Sequence, residues 1–137
     1  MPFNFPEKSP ITDAAQAAAI FRAALPKEQN EERIFVLPLD ASGKMLAKPI
    51  LVSVGYQNGT TAIDVGAIFR EALKAGAEEI IIAHNHPSGN LTPSNADIAA
   101  TLELKDLAER LGVPLLDHLI VTSSSSDFTS ITDYIEN

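Results

Sequence analysis

His84 and His86 close the segment EIIIAHNH, which reads as a strand, and Ser94 and Asp97 follow in PSGNLTPSNAD. Two imidazoles and a carboxylate make the ligand set of a catalytic zinc ion. Three protein ligands leave the fourth tetrahedral position for water, whereas a structural zinc fills all four. Zinc lowers the pKa of a bound water to about 7 and polarises a substrate carbonyl. A carboxylate base must still take the water's proton, and Ser94 can donate to the oxyanion that forms. Alone, each part has a plainer explanation. A single strand-end histidine is usually packed or solvated, and Ser94 and Asp97 could be ordinary first-turn residues favoured by the helix dipole. The loop residues PSGN by themselves say only that the chain turns. Their joint spacing is harder to explain away.

That spacing needs particular elements. His84 and His86, two apart at a strand end, leave the same face. Ser94 and Asp97, three apart at a helix start, share a side. The short loop with Pro87 and Gly89 must fold the helix back over the strand. The ligands then converge at the carboxyl end of a central strand, where α/β folds place ligands.

The remaining elements follow the same logic. Three prolines in the first ten residues suggest an extended arm over 1–10. A helix is expected from Thr12 or Asp13 as N-cap, with Ala17, Ile20, Phe21, Ala24 and Leu25 on one face and Pro26 ending it. Residues 33–39 read as a strand, Asp40 to Gly43 as a turn and 45–54 as its hairpin partner. Pro38 and Pro49 then belong at edges, strand ends or bulges. After a loop over 55–60, a second helix is expected over 61–75, stopped by Gly76. Ile80 to Ala83, apolar without alternation, predict a strand covered on both faces. A third helix is expected to open with Thr92 as N-cap and Pro93 as its first residue, and to end at Leu111 before Gly112 and Pro114. A strand over 115–122, a serine loop, a short strand over 128–131 and a weak tail complete the chain. Strands alternating with helices, after a front hairpin, predict an α/β fold with a mixed sheet.

Composition narrows the function. With 137 residues the chain suits a single domain. It has no cysteine, which excludes disulfides, thiolate ligands and a thiol nucleophile. Ten Lys and Arg against eighteen Asp and Glu give a net charge of −8, a surface that repels phosphate backbones. Direct nucleic-acid binding is therefore not expected. No membrane span or signal peptide is visible, so a soluble cytoplasmic protein is expected. Exposed edges of a mixed sheet often pair, which makes a homo-oligomer one expectation.

The segment HNHPSGNLTPSNAD resembles the JAMM motif: His-x-His, seven residues, Ser, two residues, Asp. HNHPSG with PSNAD, and the later LGVPLLDHLIV, are similar to the RadC family of bacterial JAB/MPN domains. The resemblance runs from about Ser9 to Ile131. It implies a three-layer α/β/α, cytidine-deaminase-like fold. It also implies a zinc-peptidase-type site, with His84, His86 and Asp97 as ligands of one zinc ion per chain and Ser94 stabilising the transition state. A peptide or protein substrate follows from it. RadC proteins typically carry a helix-hairpin-helix region ahead of this domain. The chain begins where the catalytic domain would, so it resembles a stand-alone or trimmed form.

JAMM enzymes place a general-base glutamate just before the first strand. Glu32 stands there and is the candidate, with Glu31 as the alternate; two solvated loop acids are the plainer view. The chain departs from the family in two places. Residues 45–54 (MLAKPILVSV) lack the acidic residue frequent in the second strand, and Val65-Gly66-Ala67 replaces Pro-Arg-Glu at the second helix. Such changes fit altered substrate recognition or weakened catalysis. The competing function is thus a zinc-bearing module that binds a partner without turnover, in a DNA-repair-associated or other protein complex. A nucleobase deaminase is excluded, since no Pro-Cys-x-x-Cys segment exists. His118, beside Asp117 in a predicted strand, reads first as a hydrogen-bonded structural histidine, with support of the ligands as the alternative.

Overall fold

A computed structural model describes residues 9–55 and 63–136. A five-stranded sheet in the order β2-β1-β3-β4-β5 carries helices on both faces. The elements are α1 (Ala14–Ala24), β1 (Arg33–Leu39), β2 (Ile50–Val54), α2 (Val65–Lys74), β3 (Glu79–His84), α3 (Asn95–Leu111), β4 (Leu115–Val121), β5 (Phe128–Ser130) and α4 (Ile131–Glu136). Side-chain alternation along the strands sorts the core into two halves. Phe35, Leu37, Ile81, Ala83, Leu119 and Val121 pack with Ala17 and Phe21 of α1 and with Leu25, which caps it. Ile34, Val36, Ile80 and Ile82 pack on the other face with Ile68, Phe69 and Ala72 of α2 and Leu104 and Ala108 of α3. The three-layer mixed α/β expectation holds. No helix among the described residues is long and apolar enough to cross a membrane.

The central strand obeys its sequence: Ile80 to Ala83 are buried from both sides. β1 runs antiparallel to β3 and β4 runs parallel to it. Both facts bear on chemistry. Ile34 pairs with His84, so the residues just before β1 arrive at the carboxyl end of β3. His118 pairs with Ile82, so its side chain lies on the α3 face behind that end.

Several boundaries differ from the sequence expectations. β2 begins at Ile50, because Met45 makes only an isolated bridge to Leu39 and Pro49 interrupts the run. Pro38 lies on β1 beyond its pairing with β2, which ends at Val36, so its missing N–H breaks no ladder there. α2 starts at Val65, with Asp64 as N-cap accepting from the Ala67 N–H; the earlier start at Thr61 lies outside the described residues, as do most of the 55–60 loop and all but the end of the N-terminal arm. β3 ends at His84, two residues short of the predicted strand. α3 is capped by Ser94, not Thr92. The last strand stops at Ser130, and the tail forms α4, anchored by fully buried Ile131. α1 matches its expected start, with Asp13 accepting from the Gln16 N–H at 2.8 Å.

Candidate metal centre

His84 is fully buried at the tip of β3. His86 lies beyond the strand, so its orientation comes from a turn rather than from the pleat. The Gly89 N–H donates to the His86 carbonyl at 2.8 Å, closing a turn through Pro87 and Ser88. Gly89 has φ +82°, a conformation that disfavours side chains, which accounts for glycine there. The turn brings the Asn90 carbonyl back to His86 Nδ1 at 2.8 Å. A carbonyl only accepts, so His86 Nδ1 carries the proton and the neutral ring offers an Nε2 lone pair.

Asp97 reaches the same point through the start of α3. The Ser94 hydroxyl accepts from the Asp97 N–H at 3.0 Å, and the Asp97 carboxylate accepts from the Ser94 N–H at 2.9 Å. This reciprocal cap satisfies two helix-end donors and fixes the carboxylate. Ser94 and Asp97 are therefore coupled as N-cap and third helical residue. Accepting the amide uses only a lone pair of Ser94, so its exposed hydroxyl keeps a proton to donate.

The three groups meet. His84 Nε2 lies 3.2 Å from His86 Nε2 and 3.3 Å from Asp97 Oδ1, and His86 Nε2 lies 3.0 Å from Asp97 Oδ2. Donor atoms bonded at about 2.0–2.1 Å to one tetrahedral ion lie about 3.3–3.4 Å apart. Spacing and donor types thus fit a metal ion held by His84, His86 and Asp97. Burial opposes ionisation of Asp97, but its contacts with His84 and His86 and the bond from the Ser94 N–H hold it well below the ordinary carboxylate range. The bond to Asp97 raises the His86 pKa, against burial and with help from the Asn90 carbonyl. Without metal, a proton takes the place of the cation between this ring and this carboxylate.

The two glutamates before β1 separate cleanly. Glu31 stays at the surface, 3.6 Å from Arg33. Glu32 is buried, at 6% exposure, at the end of the sheet where the triad sits. Burial raises its pKa; the charges of His84 and His86 counteract this and that of Asp97 adds to it. Its backbone is clamped by Asn85, which the sequence did not single out. The fully buried Asn85 side chain donates to the Glu31 carbonyl at 3.1 Å and accepts from the Arg33 N–H at 2.7 Å. Asn85→Ala is expected to cost about 1–3 kcal/mol, since buried partners lose their bonds. A fall in the urea midpoint checks this; an unchanged midpoint would show that the clamp contributes nothing.

His118 is also fully buried, and its Nε2 lies 2.9 Å from His84 Nδ1. Burial, reinforced by the charge of His84, depresses its pKa far below the usual value. The contact joins residues 34 apart in sequence, beyond any local pattern.

Known proteins point the same way. The family described as RadC-like JAB domain matches residues 11–135. A UPF0758 protein of Picosynechococcus sp. is 44% identical over 116 residues, covering 85% of this chain and 47% of that protein. One from Acaryochloris marina is 44% identical over 126 residues, covering 92% and 50%. One from Finegoldia magna is 41% identical over 95 residues, covering 69% and 42%. The chain spans about half the length of these relatives. A family match over nearly all of the sequence, on a fold of the expected layers, makes the assignment: the chain belongs to the RadC-like JAB domain family.

Proposed function

We propose that the protein is a zinc-dependent hydrolase of the JAMM type, cleaving a peptide or isopeptide bond in a peptide or protein substrate. The observation that carries this is the convergence of His84, His86 and Asp97 donor atoms at 3.0–3.3 Å, at the sheet end where buried Glu32 precedes the strand that pairs with His84. Nitrogen and oxygen donors in this ratio suit zinc. A zinc ion there supplies Lewis-acid polarisation and water activation. Glu32 acts as the general base and takes the attacking water's proton; its raised pKa lets it hold that proton and return it to the leaving amine. Ser94 donates its hydroxyl proton to the oxyanion from the solvent side. Asn85 keeps Glu32 in place through the backbone on either side of it.

The test is a mass-spectrometric search for new amino termini and released isopeptide amines. Zinc-loaded protein is incubated with a proteome-derived peptide library and isopeptide-linked conjugates. Cleavage that a chelator stops and added zinc restores supports the proposal. Protein that stays zinc-loaded and cleaves nothing across both sets overturns it, in favour of a zinc-bearing binding module.

Acidity offers a second check. The raised pKa of His86 stabilises the metal-free fold below about 6.5, and this is lost as pH rises through the folded value. The depressed pKa of Asp97 contributes above about 3.9 and is lost as pH falls. The proton-bridged pair is therefore strongest between these limits. Zinc needs the neutral ring, so its affinity should climb as pH rises through and beyond the upper limit. Competition with a chromophoric chelator across this range reads the effect. Constant zinc affinity from acid to neutral pH would remove His86 from the ligand set.

A further inference from the structure

Behind His84, a line of buried polar groups returns to the residue it started from. Thr101 Oγ1 donates to the Asp97 carbonyl at 2.7 Å. His118 Nδ1 lies 2.7 Å from that same Thr101 oxygen, and His118 Nε2 lies 2.9 Å from His84 Nδ1. Thr101, His118 and His84 are all 0% exposed, so no solvent enters the line.

For a neutral His118, the proton positions follow from the Thr101 end of the line. A peptide carbonyl can only accept, so the single hydroxyl proton of Thr101 is committed to Asp97. Thr101 Oγ1 can then only accept from the ring beside it, and His118 must carry its proton on Nδ1. A neutral imidazole with Nδ1–H has a lone pair on Nε2. That lone pair accepts from His84, which must therefore carry its own proton on Nδ1. His84 Nε2 is left bare, 3.3 Å from Asp97 Oδ1 and 3.2 Å from His86 Nε2.

We propose that His118 and Thr101 are positioning residues that lock His84 in its Nδ1–H tautomer and so present its Nε2 lone pair to the metal. The opposite tautomer would put a proton on Nε2, where the cation belongs. A histidine ligand's other nitrogen is normally held by a carboxylate, carbonyl or water. Here a second neutral histidine holds it, and a threonine fixes which way that histidine faces. The line leaves the Asp97 backbone and ends opposite the Asp97 carboxylate, so one helix start governs both ligands. This rests on the metal-binding reading above, but its first test does not require metal.

Long-range proton–nitrogen NMR of the whole ¹⁵N-labelled chain, metal-free at mildly alkaline pH and again zinc-loaded, reads each tautomer directly. The expected result is Nδ1–H at both His84 and His118 in both samples. A proton on His118 Nε2 overturns the proposal, whether or not the protein binds metal. Zinc competition with a chromophoric chelator gives the second readout. His118→Leu is expected to weaken zinc binding by about 10–100-fold, the usual effect of losing such a partner. His118→Gln, whose Oε1 can still accept from His84, should recover much of that loss. Folded His118→Leu protein with wild-type zinc affinity overturns the proposal; if that variant does not fold, the tautomers of the unaltered chain decide. Failure of the unaltered chain to take up zinc would strike the metal-binding reading instead.

Discussion

Glu32→Gln is expected to lower amide-bond turnover by about 10²–10⁴-fold, the usual contribution of a general base. The substitution keeps the size of the side chain and removes only its capacity to accept a proton. Glu32 lies outside the triad whose donor atoms converge, so metal content should stay at the wild-type level. Its burial makes the change more telling. At 6% exposure, solvent cannot readily take over the proton transfer. The amide should also fit the site without structural loss, because the Asn85 clamp grips the backbone around residue 32, not its side chain. Turnover on a substrate from the library search, with zinc measured by elemental analysis, checks this. Unchanged turnover would move the base elsewhere. Loss of zinc would make Glu32 a ligand.

Asp97→Ala is expected to have the largest effect on metal. Losing a supporting partner alone costs about 10–100-fold in affinity, so removing a ligand should cost more than about 100-fold. It should also lower stability by about 1 kcal/mol, because the carboxylate is half of the reciprocal cap of α3. Ser94→Ala separates the two effects. It removes the oxygen that accepts from the Asp97 N–H but keeps the Ser94 backbone bond to the carboxylate. Its stability loss should be similar, while zinc affinity stays close to wild type. Thermal unfolding of the metal-free proteins and zinc competition on each variant provide the comparison. Equal loss of zinc in both variants would mean that capping, and not ligation, explains Asp97.

The parts of this architecture that local pattern could reveal were those built from neighbouring residues. Ile80 to Ala83 announce a buried strand, and the two histidines at its end lie close to a capped helix bearing a carboxylate. Glu32 could be placed only by the family resemblance, because its approach to the triad depends on Ile34 pairing with His84 across the sheet. Thr92-Pro93 obeys the same capping rules as Ser94-Asn95. What favours Ser94 is the reciprocal bonding with Asp97, a feature of geometry that residue type does not distinguish. The six residues of α4 are too few to show a helical period, and Ile131 docks them. Asn85 and His118 were hardest to interpret. Their partners stand 52 and 34 residues away, so neither side chain's work is visible in its own neighbourhood.

The three candidate ligands occupy a single strand–turn–helix segment running from residue 84 to 97. Ion capture is therefore nearly a regional property, with little chain to close around it. In the proposed reaction the base comes from afar, as a glutamate that enters with the first strand. Under that proposal the two can be inherited separately: drift in the front hairpin would silence the reaction and leave the ion seated, whereas damage to the short segment would remove both. A descendant that keeps its ion and loses its chemistry is thus the easier evolutionary product of this architecture.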